Sequence, residues 1–173
     1  ARSLTVGSAN SDTTFAGILS GTGKLYKSGS GTLTLSGTNT YTGGTDITAG
    51  GILITNDRNL GAVPGSADAD NVIIRNGATL ATGNANVSMA ANRGFNVPSG
   101  TAKLLKYTRK SWTLNNPISG SGGVNFDDST ASGGNGGGGG RYYLKVANTY
   151  TGDTGCKTLY QGTWDLPLSR GPP

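Results

Sequence analysis

The nine acidic residues of this 173-residue chain are all aspartate, and histidine is absent. Without histidine the commonest general base, the usual nucleophilic triads and most zinc sites are removed. Carboxylates remain. Asp127 and Asp128 in "NFDDST" are the only adjacent acids, and a carboxylate pair is what glycoside cleavage requires. Neighbouring strand residues point to opposite faces, so these two side chains converge only in a turn. A solvated turn is expected there. Asp68 and Asp70 in "SADADN" alternate as calcium ligands do, but calcium takes roughly six to eight oxygens. No glycine–aspartate nonapeptide repeats, so a plain loop is expected. Cys156 is the sole cysteine, which excludes an internal disulfide and leaves the redox compartment open. Lys157 beside it lowers its pKa in principle; with neither histidine nor a second thiol, the cysteine is read as incidental. Nothing calls for a cofactor or a metal.

For binding, the net charge of +5 is mild and mostly dispersed, which favours solvation over an anionic partner. One cluster stands apart. In "KLLKYTRKSW", Lys103, Lys106, Arg109 and Lys110 flank Tyr107 and Trp112, and basic residues interleaved with aromatics hold phosphates and stack bases. Strand alternation, however, puts Lys103, Leu105 and Tyr107 on one face and Leu104 and Lys106 on the other. Nucleic acid is accordingly disfavoured. Tyr107, Trp112, Tyr142, Tyr143 and Trp164 stack sugars only if they share a face; filling core gaps is the commoner use of such rings. The glycine run "SGGNGGGGG" at 132–140 is followed by "RYYLKV", a strand pattern rather than the helix start a phosphate loop needs. It reads as an excursion.

The elements that carry these residues are β-strands. Glycine, threonine, serine and asparagine number 31, 23, 16 and 15, and glutamate is missing, a composition of pleated faces and turns rather than helices. "GTLTLSGTNTYTGGTDITAGGILI", residues 31–54, has strand-like alternation: Leu33 and Leu35 inward with Thr32, Thr34 and Ser36 outward, then Ile52 and Ile54 inward again one coil later. Apolar clusters centre near Leu33, Ile52, Val72, Phe95 and Leu114, and turns fall at Thr48–Gly50, Arg75–Gly77 and Pro98–Gly100. This spacing predicts an all-β parallel β-helix, a β-solenoid of roughly eight coils of about 20 residues, whose thin core is completed by neighbouring coils. At about 4.8 Å per coil that is a rod of roughly 40 Å. One solenoid domain is expected over 1–166, with the excursion at 132–140. A tail follows at 167–173, where the prolines of "LPLSRGPP" cannot donate to a ladder.

A longer repeat lies over this one. "NTYTGGT" at 39–45 returns as "NTYTGDT" at 148–154, preceded respectively by "ILSGTG" at 18–23 and "PISGSG" at 117–122. The second pair is wider by ten residues, and 132–140 is the evident insertion. Asn39, Tyr41 and Gly43, with Asn148, Tyr150 and Gly152, are assigned structural roles, the asparagines bonding corner backbone.

Residues 20–54, "SGTGKLYKSGSGTLTLSGTNTYTGGTDITAGGILI", resemble the autotransporter-associated β-strand repeat, also called the passenger-associated transport repeat. "NLGAVPGSADADNVIIRNGATLATGNANVSMAANRGF", 59–95, is similar to the segment that commonly follows it. The resemblance covers residues 4 to about 126 closely and 146–166 loosely. It implies a right-handed parallel β-helix in a secreted or surface-exposed bacterial passenger, with no catalytic residues to carry over. The basic stretch 103–112 and the altered second copy, with Asp153, Cys156 and Lys157, depart from the family pattern.

The expected function is a non-enzymatic structural or adhesive module at the bacterial cell surface or outside the cell. A glycan-binding or polysaccharide-cleaving β-helix is the alternative. Expected partners are neighbouring coils, further copies stacked end to end, and surface glycans or host surfaces. No signal-peptide pattern opens the chain, as expected of a mature or excised fragment, and no run reaches the roughly 18 apolar residues of a membrane helix. Terminal coils leave unpaired edges, and no amphipathic capping helix is legible at either end.

Overall fold

A computed structural model of the chain describes residues 2–106, 110–127 and 141–156, with backbone alone at Cys156. Three parallel sheets wrap one axis. Sheet A stacks Leu4–Val6, Leu25–Lys27, Thr45–Ile47, Asp68–Ile74, Arg93–Asn96 and Ile118–Ser119. Sheet B stacks Thr13–Phe15, Thr32–Leu35, Gly51–Ile54, Thr79–Thr82, Thr101–Lys106, Gly123–Asp127 and Thr154–Cys156. Sheet C begins later, with Val87–Ser88, Trp112–Leu114 and Tyr142–Leu144. Every pairing is parallel, between strands of successive turns, and so the described chain is a β-solenoid with no α-helix.

Alternation makes the core. In sheet B, Leu33, Ile52, Leu80, Leu104 and Phe126 form one inward column by register, and Phe15, Leu35, Ile54, Thr82 and Lys106 form the next. Each strand contributes only a few inward side chains. The rungs above and below complete the burial, and Leu35, Ile52, Ile54 and Leu80 are wholly enclosed. At about 25 cal/mol per Å² of apolar surface removed from water, this stacking is the main source of stability.

The expected eight coils of about 20 residues are corrected to about five turns of unequal length. Leu25 pairs with Thr45, a step of 20 residues, but Thr45 pairs with Val72, a step of 27, and Trp112 with Tyr142, a step of 30. The regular spacing in the sequence joined clusters on different sides of the helix. Ile52 belongs to sheet B and stacks on Leu80, whereas Val72 belongs to sheet A and stacks on Phe95. Loops carried outward between strands lengthen a turn without disturbing the ladder, so apolar spacing along the chain does not report the rise of one coil. Over the described residues the seven-stranded ladder of sheet B is shorter than the expected rod, roughly 30 Å at about 4.8 Å per spacing.

The corner from sheet A to sheet B is where glycine is indispensable. Gly29, Gly50, Gly77 and Gly100 all have φ between 61° and 75° there, the left-handed region that side chains rarely enter. Three of these are the turns read from the sequence.

Candidate functional site

The carboxylates singled out above are held by protein donors. Asp68 Oδ1 accepts from the Asp70 backbone N–H at 3.1 Å and its Oδ2 from Asn71 Nδ2 at 3.1 Å, while Asp70 Oδ1 accepts from Asn96 Nδ2. Asp127 is buried beside Lys103, 3.7 Å from its ammonium, and its backbone oxygen accepts from the Tyr142 hydroxyl at 2.8 Å. Asp128 lies outside the described residues, as does the excursion at 132–140. Among the described residues no three potential ligands gather into a metal site.

The basic stretch is dispersed by its strand. Lys103 points out of sheet B, Lys106 is 1% exposed in the interior column, and Lys110 is exposed just before sheet C. Arg109 and Tyr107 lie outside the described residues. Nor do the aromatics share one face. Trp112 and Tyr142 are buried and stack at 5.9 Å between ring centroids, with Phe126 edge-on to Tyr142 at 5.2 Å. Tyr143 points outward, with Lys145 Nζ 5.3 Å from its ring centroid. Trp164 lies outside the described residues, and so does the Cys156 side chain.

The two copies of the repeat have the same geometry. Asn39 Oδ1 accepts from the Leu19 N–H at 2.8 Å, and Asn148 Oδ1 from the Ile118 N–H at 2.9 Å. Thr40 and Thr149 donate their backbone N–H groups to the same two residues' oxygens. Tyr41 and Tyr150 each share a hydrogen bond with the threonine four residues on, Thr45 and Thr154. A side chain at Gly43 would meet backbone of Gly23 at 2.4 Å, and one at Gly152 backbone of Gly122 at 2.4 Å. Each "NTYTG" therefore sits directly on its "SG" element one turn below. The copies do not share a side, however. The first leads into sheet A at Thr45–Ile47; the second leads into sheet B at Thr154–Cys156.

Three interior cations were not anticipated. Arg93 is wholly buried: its Nε donates to Asp57 Oδ1 at 2.8 Å, and its terminal nitrogens donate to Asn71 Oδ1 and to the oxygens of Leu60, Gly61 and Ala62. Lys27, in the column of Val6 and Ile47, donates to the oxygens of Ser28 at 2.6 Å and Gly29 at 3.0 Å, with that of Ala49 at 3.4 Å. Burial lowers its pKa, and Asp12 opposes the shift. Lys106 is the third. The signal was present in the alternation, because Lys27 shares phase with Leu25, Arg93 with Phe95, and Lys106 with Leu104.

A family model described as the passenger-associated transport repeat matches residues 25–54, which span the first repeat copy. Over 107 residues, 62% of this chain, it is 35% identical to the "Adhesin BmaC autotransporter" of Brucella suis biovar 1 (strain 1330). The match covers 3% of that relative's length. No solved structure matches the chain. The chain thus carries an autotransporter passenger repeat, which indicates a cell-surface or extracellular location. No helix among the described residues is long and apolar enough to cross a membrane.

Proposed function

We propose that this stretch of autotransporter passenger repeat is a non-enzymatic structural and adhesive segment of a long bacterial surface protein. It acts as a stiff section of stalk whose terminal rungs receive further coils. The observation that carries the reading is the unbroken parallel ladder, whose rungs bury their apolar side chains against one another. Leu4 and Phe15 head inward columns over Leu25 and Leu35, yet they are 44% and 37% exposed against 2% and 0% for the residues beneath them. Neighbouring Ile18 is 67% exposed. An apolar end with an unpaired strand edge is the surface on which another coil stacks.

The coil that seats there comes from the same polypeptide or from another copy, and these differ in what they do to the isolated chain. Stacking between copies gives concentration-dependent association and rods in negative stain. A monodisperse monomer at high concentration assigns the surface to the same polypeptide. Globular particles, or substantial helix by circular dichroism, would refute the stalk. The non-enzymatic part draws support from Asp68, Asp70 and Asp127, whose oxygens already accept protein hydrogen bonds or face a lysine. Release of reducing ends from acidic or neutral polysaccharides would end it.

A further inference from the structure

We propose that the outer face of sheet C is a docking surface for an acidic polysaccharide, an inference that rests on the adhesive half of the function proposed above. Val87, Trp112 and Tyr142 stack inward, as do Leu114 and Leu144, which turns the alternate residues outward. Ser88, Thr113 and Tyr143 form the middle outward column by register. Asn115 and Lys145 lie to one side of it, where the Lys145 N–H bonds Leu114 O, and Arg141 lies to the other, where its oxygen accepts from the Trp112 N–H. The upper rung therefore presents arginine, tyrosine and lysine at alternate positions, above a rung of threonine and asparagine.

Among the described residues, cations without ion pairs cluster on this face, as Arg2 and Lys24 do at the far end of sheet A. On sheet A, Arg75 is clasped by Asp46 through two hydrogen bonds, of 2.9 and 2.7 Å; on sheet B, Lys103 faces Asp127. Lys110, Arg141 and Lys145 are exposed, and among the described residues none makes an ion pair. An unbalanced cationic surface attracts a polyanion.

The neighbouring groups select which polyanion. Arg141 and Lys145 lie about 13 Å apart along the strand, a span that a short oligosaccharide bridges. Half-buried Tyr143 sets an aromatic ring between them, with Lys145 Nζ 5.3 Å from its centroid, so ring and ammonium form one contact surface. The hydroxyl of Thr113 and the Asn115 amide oxygen suit sugar hydroxyls, the Asn115 Nδ2 already donating to Ser88 Oγ at 3.1 Å and to Met89 O at 2.7 Å. A single outward ring offers no succession of platforms for bases, and Val146 beside Lys145 is a lone exposed apolar side chain here, too little surface to anchor in a bilayer.

The test measures binding of the full chain to polygalacturonate and to neutral dextran. It compares the wild type with Arg141→Ser/Lys145→Ser and with Arg2→Ser/Lys24→Ser, which removes the same charge at the far end of sheet A. Polygalacturonate binds and dextran does not. Affinity falls about tenfold in the sheet C variant and less than twofold in the control, and about tenfold between 50 and 200 mM salt as two counterions are released. Equal losses in the two variants, no polygalacturonate binding, or equal binding of duplex DNA or anionic vesicles overturns the proposal. Adherence to whole cells that survives the sheet C substitutions refutes this surface alone; loss of adherence by the wild type refutes the adhesive function itself.

Discussion

Replacing Arg93 by methionine keeps most of the side chain's volume while deleting a guanidinium that makes five hydrogen bonds in the interior. Asp57, only 8% exposed, then retains a buried negative charge without its cation, and the oxygens of Leu60, Gly61 and Ala62 lose their donor. Removing one partner of a buried ion pair costs about 3–5 kcal/mol, whereas the added methionine surface restores only a part of this. Since about 1 kcal/mol shifts the melting temperature of a domain this size by roughly 2–4 °C, Arg93→Met should melt roughly 10 °C below the wild type. Thermal unfolding followed by far-UV circular dichroism measures it. The cause is separable: Asp57→Asn in the Arg93→Met background removes the stranded charge and should restore roughly half of the loss. A single variant within about 3 °C of wild type, or a double variant no more stable than the single, refutes the claim that Arg93 anchors the 57–62 excursion to the core.

Gly43→Ala and Gly152→Ala should each cost about 2 kcal/mol or more, because the new methyl meets backbone that cannot move aside, while Gly65→Ala, with open space around it, should leave the denaturation midpoint unchanged. Burial pushes the Tyr41 hydroxyl up to about 12, against hydrogen bonding from Thr45 and the charge of Arg93. The folded state therefore keeps this proton where the unfolded chain releases it. Its contribution is full below about pH 10 and is lost as pH rises toward 12, by up to about 3 kcal/mol, and Tyr41→Phe should flatten the decline in melting temperature over that range. Lys27 has the opposite sign: its lowered pKa means that the folded state gives up a proton first. Stability should rise with pH between that lowered value and about 10.5, and Lys27→Met should abolish the rise.

Strand phase was legible wherever apolar and hydroxyl residues alternate, as in Thr32–Leu35 and Gly51–Ile54. The paired repeat copies were legible too, because local hydrogen bonding fixes asparagine, tyrosine and glycine together. Which side of the helix a strand occupies was not. Ile52 and Val72 look like successive rungs in the sequence, yet the 3₁₀ turn at Asp57–Leu60 and the loop after it carry the chain past the third side first. Interior charge was overlooked for a related reason: hydropathy counts Arg93 and Lys27 as surface, while only the phase of their neighbours shows them facing in. Sheet C escaped notice because its outward residues are ordinary one by one; their significance comes from stacking residues 25–30 positions apart.

The shift of the second "NTYTG" copy from one sheet to the next means that its corner looks out on a different bearing from the first. What one copy displays therefore faces away from what the other displays, and a surface lying flat against the shaft meets one of them and not both.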